Sequence, residues 1–226
     1  MSTPVSGPIG SGPIGAKKRD YFWTVLVVDP VALPLTRLLA RKRWLSPNAT
    51  TWISFALGLA VGPSYAFGER TGLMLGAIVF YLSFVFDCVD GKLARALQVT
   101  SDKGKLLDEV ADGARRASAS LGLVGYLWTK HHELSHETFL SIVFVVLAFY
   151  FMQISGSERS DPVSELGGRW TRMLARRRLL PNPGMPDVSG IVFVIGPLTG
   201  WVAPAVFVGI ALVSVGILRV WWKLTR

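Results

Sequence analysis

The sequence predicts an all-α integral membrane protein, with six transmembrane helices behind an N-terminal interfacial helix and both termini cytoplasmic. Three observations lead there. Half of the 226 residues are hydrophobic and only 17% are charged, too apolar a balance for an ordinary soluble domain. Apolar runs of spanning or near-spanning length recur at 51–67, 72–86, 117–128, 139–154, 188–198 and 202–222. With the N-terminus inside, only Arg70 and Lys130 of the 24 Lys and Arg residues fall outside, the skew that sets orientation in membrane proteins.

Residues 1–19 read as a disordered tail, carrying the repeat Ser6-Gly7-Pro8-Ile9-Gly10 and Ser11-Gly12-Pro13-Ile14-Gly15. The basic group Lys17-Lys18-Arg19 arrives only after this tail, unlike the basic start of a secretory signal, so the N-terminus is expected to stay in the cytoplasm. Residues 20–226 then form one membrane domain. Within it, 20–45 is an interfacial helix mixing Val28, Val31, Leu35 and Leu39 with Arg37, Arg41 and Arg43, and 46–226 is a six-helix bundle.

The formal charge of +9 does not point to nucleic acid, because the basic residues alternate with apolar runs; an anionic membrane surface accounts for them. That surface is also the expected contact of Arg176-Arg177-Arg178. The single cysteine, Cys88, can form no internal disulfide. Ser46-Pro47-Asn48 reads as a turn with a capping side chain for the first span. Segment 156–187, with six arginines and four prolines, is the largest cytoplasmic loop. His131, His132 and His136 belong to an external loop and are read as solvated residues.

Several apolar runs fall short of the ~20 residues a bilayer requires, so the second span extends through Asp87 and the third begins near Lys105. Those extensions hold the chemistry. Asp87, Asp90, Gly91, Ala94 and Arg95 share one face of the second helix, and Gly104, Asp108 and Asp112 form a matching stripe on the third. Singly, such aspartates serve as helix caps or solvated loop residues. Together, four like charges on facing stripes repel, and each costs ~2.5–3.5 kcal/mol at a helix centre, a burden that divalent cations remove. Hard cations such as Mg2+ take oxygen ligands, and the glycines leave room for a substrate.

These residues carry a resemblance to the CDP-alcohol phosphotransferase (CDP-alcohol phosphatidyltransferase) family, whose signature D-x-x-D-G-x-x-A-R-x8-G-x3-D-x3-D is matched at all eight fixed positions from Asp87 to Asp112. The six-span plan, the interfacial helix and Pro47-Asn48-Ala49-Thr50-Thr51 are similar to the family as well. The resemblance implies a metal-dependent transferase of phospholipid biosynthesis. It would move a phosphoalcohol, such as a phosphatidyl group, from a CDP-linked lipid donor such as CDP-diacylglycerol to an acceptor hydroxyl, releasing CMP. It further implies two Mg2+ or Mn2+ ions on Asp87, Asp90, Asp108 and Asp112, with Asp112 also the catalytic base. Asn48, Thr51, Gly91, Ala94, Arg95, Ser101 and Gly104 would contact the CDP donor. A homodimer is implied too, and Gly58, Gly62 and Gly76 permit close helix packing.

Members that take phosphorylated acceptors resemble one another in a K-x-R-type pattern after the fourth span, where this chain has Ile154-Ser155-Gly156-Ser157-Glu158-Arg159. Arg115, Arg116 and Arg159 offer an acceptor pocket, and equally they satisfy the positive-inside rule as loop residues. The expected location is the plasma membrane, with the site facing the cytoplasm. Two rival readings are a divalent-cation transporter, because intramembrane aspartates mark ion paths, and a non-catalytic membrane scaffold that keeps the fold.

Overall fold

A computed structural model describes residues 14–67, 69–131, 135–155 and 169–225. The first thirteen residues, His132 and Arg159 lie outside the described residues, as does the first part of the long loop. The elements are helical: a π-helical turn (Thr24–Val28) leading into α1 (Asp29–Lys42), then α2 (Pro47–Ala66), α3 (Glu69–Ala96), α4 (Asp102–His131) and α5 (His136–Ser155). After these come α6 (Arg169–Arg176), a run formed by α7 (Met185–Gly190), a π turn (Ile191–Ile195) and α8 (Gly196–Thr199), and finally α9 (Val202–Leu224).

Among the described residues three helices, α3, α5 and α9, are long and apolar enough to cross a bilayer. Helices α2 and α4 have the length, at 20 and 30 residues, but are less apolar, and Met185–Thr199 is a shorter apolar run. Their outer faces carry large exposed apolar side chains, among them Ile78 and Leu82 on α3, Val146 and Phe149 on α5, and Phe207 and Leu218 on α9. So extensive an apolar exterior needs a lipid solvent.

Helix α2 begins where Ser46 accepts a hydrogen bond from the Ala49 amide, with Pro47 in its first turn. It is the wedge of the fold, packed against both α3 and α4. Small residues allow this. A Cβ on Gly58 would sit 2.9 Å from the Arg115 Cβ, and one on Gly122 would run into the backbone of Gly62. Polar side chains then lock the contact. Ser54 and Ser83 donate to each other's carbonyls at 2.9 and 2.8 Å, and Ser118 accepts from the Gly62 amide at 2.9 Å.

The core lies beneath, where Val61, Tyr65, Phe80, Leu123, Phe144 and Phe193 pack together with Val206 and Val213. The Tyr65 hydroxyl donates to the Phe193 carbonyl at 2.6 Å, which satisfies a buried phenol. A smaller apolar cluster joins Val28, Ala32 and Leu39 to Phe84, Val85, Val89 and Leu93. The N-terminal helix is thereby fastened along the end of α3 that carries the aspartates.

Candidate active site

Asp87, Asp90, Gly91, Ala94 and Arg95 occupy the last turns of α3, which ends with Gln98 in the left-handed conformation (φ 56). Ser101 caps the start of α4 by accepting from the Gly104 amide at 3.1 Å. Both glycines sit where space is needed: a Cβ on Gly91 would lie 3.3 Å from Arg95 Nη1, and one on Gly104 would lie 3.1 Å from Ser101 Oγ. Asn48, Thr51, Gly91, Ala94, Arg95, Ser101 and Gly104 line one cavity of ≈ 320 Å³, bordered also by Asp90 and Asp108. Its walls come from α2, α3 and α4. An adjoining cavity of ≈ 210 Å³ has all four aspartates, Asp87, Asp90, Asp108 and Asp112, in its lining.

Arg115 governs the electrostatics. Among the described residues it is the largest fully buried side chain, only 1% exposed. Its Nη1 stands 3.2 Å from Asp87 Oδ1 and 3.3 Å from Ser54 Oγ, while Nη2 is bonded to Asp112 Oδ1. The guanidinium carbon lies 5.0 Å from the Phe84 ring centre and 5.8 Å from that of Phe80. Arg116 Nη1 donates to the second Asp112 oxygen at 2.6 Å. The two arginines expected in an acceptor pocket are therefore both tied to Asp112, although they border a third cavity of ≈ 270 Å³ beside it. A guanidinium fork suits this bridging, because it can serve two carboxylates on separate helices at once.

Among the described residues no three His, Cys, Asp or Glu side chains are gathered as a ready-made metal cage. The arginines explain part of this, since they draw Asp87 and Asp112 toward themselves. Even so, the donor set fits a hard divalent ion. Asp90 Oδ2 and Asp87 Oδ1 are buried without a hydrogen bond, the latter held only by its ionic contact to Arg115. Buried carboxylate oxygens left in this state are costly, and a divalent cation is their natural partner.

Other residues at the site carry no signal in the motif. Lys92, 3% exposed, pairs with Asp29 of α1 at 3.0 Å, and Asp29 also receives Arg178 Nη1 at 3.1 Å. The strap 14–20 crosses the same end of the molecule. Gly15 turns there at φ 68, and its carbonyl accepts from Arg95 Nε at 2.7 Å. The Lys17 carbonyl accepts from Arg178, and the Lys17 side chain borders the carboxylate cavity. Asp20 exchanges backbone hydrogen bonds with Arg178 and Leu180 at 2.8 and 2.9 Å. The last six residues of the expected tail thus lie across the end of the molecule that carries the aspartates. Proximity of cations to an interfacial acid is their only trace in the sequence.

Fold and site together define a helical membrane protein with a carboxylate-rich cavity beside a nucleotide-sized one. A family model described as CDP-alcohol phosphatidyltransferase matches residues 44–176, more than half of the chain, and the chain belongs to that family. It is a transferase of substituted phosphate groups that moves a phosphoalcohol from a CDP-alcohol to an acceptor hydroxyl. No curated protein matches the chain.

Proposed function

We propose that the protein transfers a phosphatidyl-type group from a CDP-linked lipid such as CDP-diacylglycerol to an acceptor hydroxyl, releasing CMP, as a step of phospholipid synthesis. The observation that carries this reading is the shared wall of the two cavities. The seven residues suited to a nucleotide diphosphate line one, the four aspartates line the other, and Asp90, Gly91, Arg95 and Asp108 belong to both.

Asp87, Asp90, Asp108 and Asp112 would hold two Mg2+ or Mn2+ ions, which supply charge neutralisation for the donor pyrophosphate. The chain's own groups do the rest. Gly91 and Gly104 admit the nucleotide, Asn48, Thr51 and Ser101 offer it polar contacts, and Arg95 pairs with phosphate. Asp112 accepts the acceptor's proton, and Arg115 and Arg116 hold its carboxylate in place. The acceptor oxygen then bonds the phosphorus that bears the donor's alcohol, and CMP leaves in line with the attack.

The six-span topology, the plasma-membrane location with a cytoplasmic site and the homodimer belong to the same reading. The concentration of basic residues on one side supports the orientation. The test is CMP release from CDP-diacylglycerol by purified Asp112→Asn and Asp87→Ala. Both should lose nearly all turnover, and full activity in either removes its assigned role.

A further inference from the structure

The cavities lie in a series, each sharing lining residues with the next. The nucleotide-side cavity shares Asp90, Gly91, Arg95 and Asp108 with the carboxylate cavity, and that one shares Phe84, Asp112 and Pro186 with the third cavity. The third in turn shares Arg116, Met152 and Met185 with a groove of ≈ 410 Å³ between α4 and α5. We propose that this groove admits the hydrocarbon chain of a lipid alcohol, whose hydroxyl is the acceptor presented to Asp112. The proposal rests on the transferase reading above and names the acceptor class for the same site.

Direction of attack is the first argument. The nucleophile must approach phosphorus opposite the leaving CMP, whose cytidine end fills the nucleotide-side cavity. That cavity and the third one share no wall residue, and Asp112 borders the third. The acceptor therefore enters through the third cavity. Its oxygen forms the new bond to phosphorus, the phosphorus–oxygen bond to CMP breaks with the bridging oxygen leaving on CMP, and the hydroxyl proton passes to Asp112.

Chemistry of the groove is the second. Phe144, Ala148 and Phe193 form its buried floor, while Ala117 and Phe149 stand at an exposed rim, Phe149 being 60% exposed on the apolar outer face of α5. A Cβ added to Gly113 would meet nothing within 4 Å, so the groove is open space up to the residue next to Asp112. Its one cation, Arg116, is already bound to Asp112 at 2.6 Å. Such a wall suits methylene groups and offers little to a free phosphate. A second branch leaves the third cavity past Ser155 and Pro186 toward Arg219 and Lys223, and a water-soluble phosphorylated acceptor would use that one instead.

The experiment uses the full chain in lipid nanodiscs with CDP-diacylglycerol and Mg2+, and measures CMP release with two acceptor panels. One holds chain-bearing alcohols (diacylglycerol, phosphatidylglycerol), the other phosphorylated polyols (glycerol 3-phosphate, inositol 1-phosphate). The expected result is release with a chain-bearing alcohol only. Ala117→Phe and Gly113→Leu, which fill the groove independently, should each lower kcat/KM for that acceptor by about tenfold or more, with CDP affinity by calorimetry kept within about twofold. Release with a phosphorylated polyol, or lipid-alcohol turnover indifferent to both substitutions, overturns the groove assignment and leaves the transferase reading standing. CDP binding without CMP release from either panel overturns both.

Discussion

Asp29 Oδ1 stands 3.0 Å from Lys92 Nζ, with both side chains almost wholly buried, and the other Asp29 oxygen takes Arg178 at 3.1 Å. One carboxylate thus joins α1, the motif-bearing end of α3 and the segment after α6. Asp29→Asn would leave a buried ammonium unpaired, and a loss of ~3–5 kcal/mol is expected for a broken buried pair. Thermal unfolding of the detergent-solubilised protein measures this, and Asp29→Asn combined with Lys92→Met should recover most of the loss.

Arg115 is held by Ser54, Asp87 and Asp112 at once. Arg115→Met keeps the shape and removes the charge, so kcat is expected to fall by about a hundredfold, the scale of a lost electrostatic support at a reacting centre. Arg115→Lys should recover only part of this, since a compact ammonium lacks the planar fork whose separate Nη1 and Nη2 reach Asp87 and Asp112 on two helices. Steady-state kinetics over a range of Mg2+ concentration reads both effects.

Arg95 Nε is bonded to the Gly15 carbonyl in the free protein, and a donor phosphate paired with Arg95, as proposed above, would displace that contact. A side chain at Gly15 is strained by φ 68 and collides with the Lys92 carbonyl. Gly15→Val should therefore unseat the strap and lower the donor KM by about tenfold, the equivalent of one charge-assisted hydrogen bond, with turnover at saturating donor unchanged. An unchanged KM would show that the strap does not compete with the donor.

Gly122 and Gly113 lie on the same helix and should respond in opposite ways. A Cβ on Gly122 meets the Gly62 backbone, whereas one on Gly113 meets nothing within 4 Å. Gly122→Val is expected to force α2 from α4 at a cost of about 1–3 kcal/mol or more. Gly113→Ala should stabilise by up to ~1 kcal/mol through helix propensity alone. Paired melting curves measure the contrast.

Much of the site is legible in the sequence because helical spacing is a local property. Asp87, Asp90, Gly91, Ala94 and Arg95 fall on one face by periodicity, and the structure brings the last four to a cavity shared with Asn48, Thr51 and Ser101, and Asp87 to the adjoining one. The i,i+3 and i,i+4 spacing of Asp112 to Arg115 and Arg116 was equally readable, and it points to pairing within α4. Contacts between distant segments were not readable. Nothing in the pattern around Lys92 distinguishes a buried partner of Asp29 from one more cytoplasmic cation, and nothing around Gly15 marks a latch for Arg95. Apolar run lengths likewise carry no information on neighbours, so the role of α2 as a wedge between α3 and α4 emerges only from its glycine and serine contacts.

The helical run Met185–Thr199 is shorter than its neighbours. At ~1.5 Å per residue it falls several ångströms short of a ~30 Å hydrocarbon layer. In the six-span arrangement proposed above, lipids beside it would dip to meet its ends, and such thinning is met at a fraction of a kcal/mol per ångström. Because Met185 and Pro186 border the cavity that holds Asp112, the dimple would lie next to the carboxylate proposed as the base. A headgroup drawn down there would sit deeper than the surrounding leaflet, and that would shorten the climb for an amphiphile passing from the bilayer into the protein.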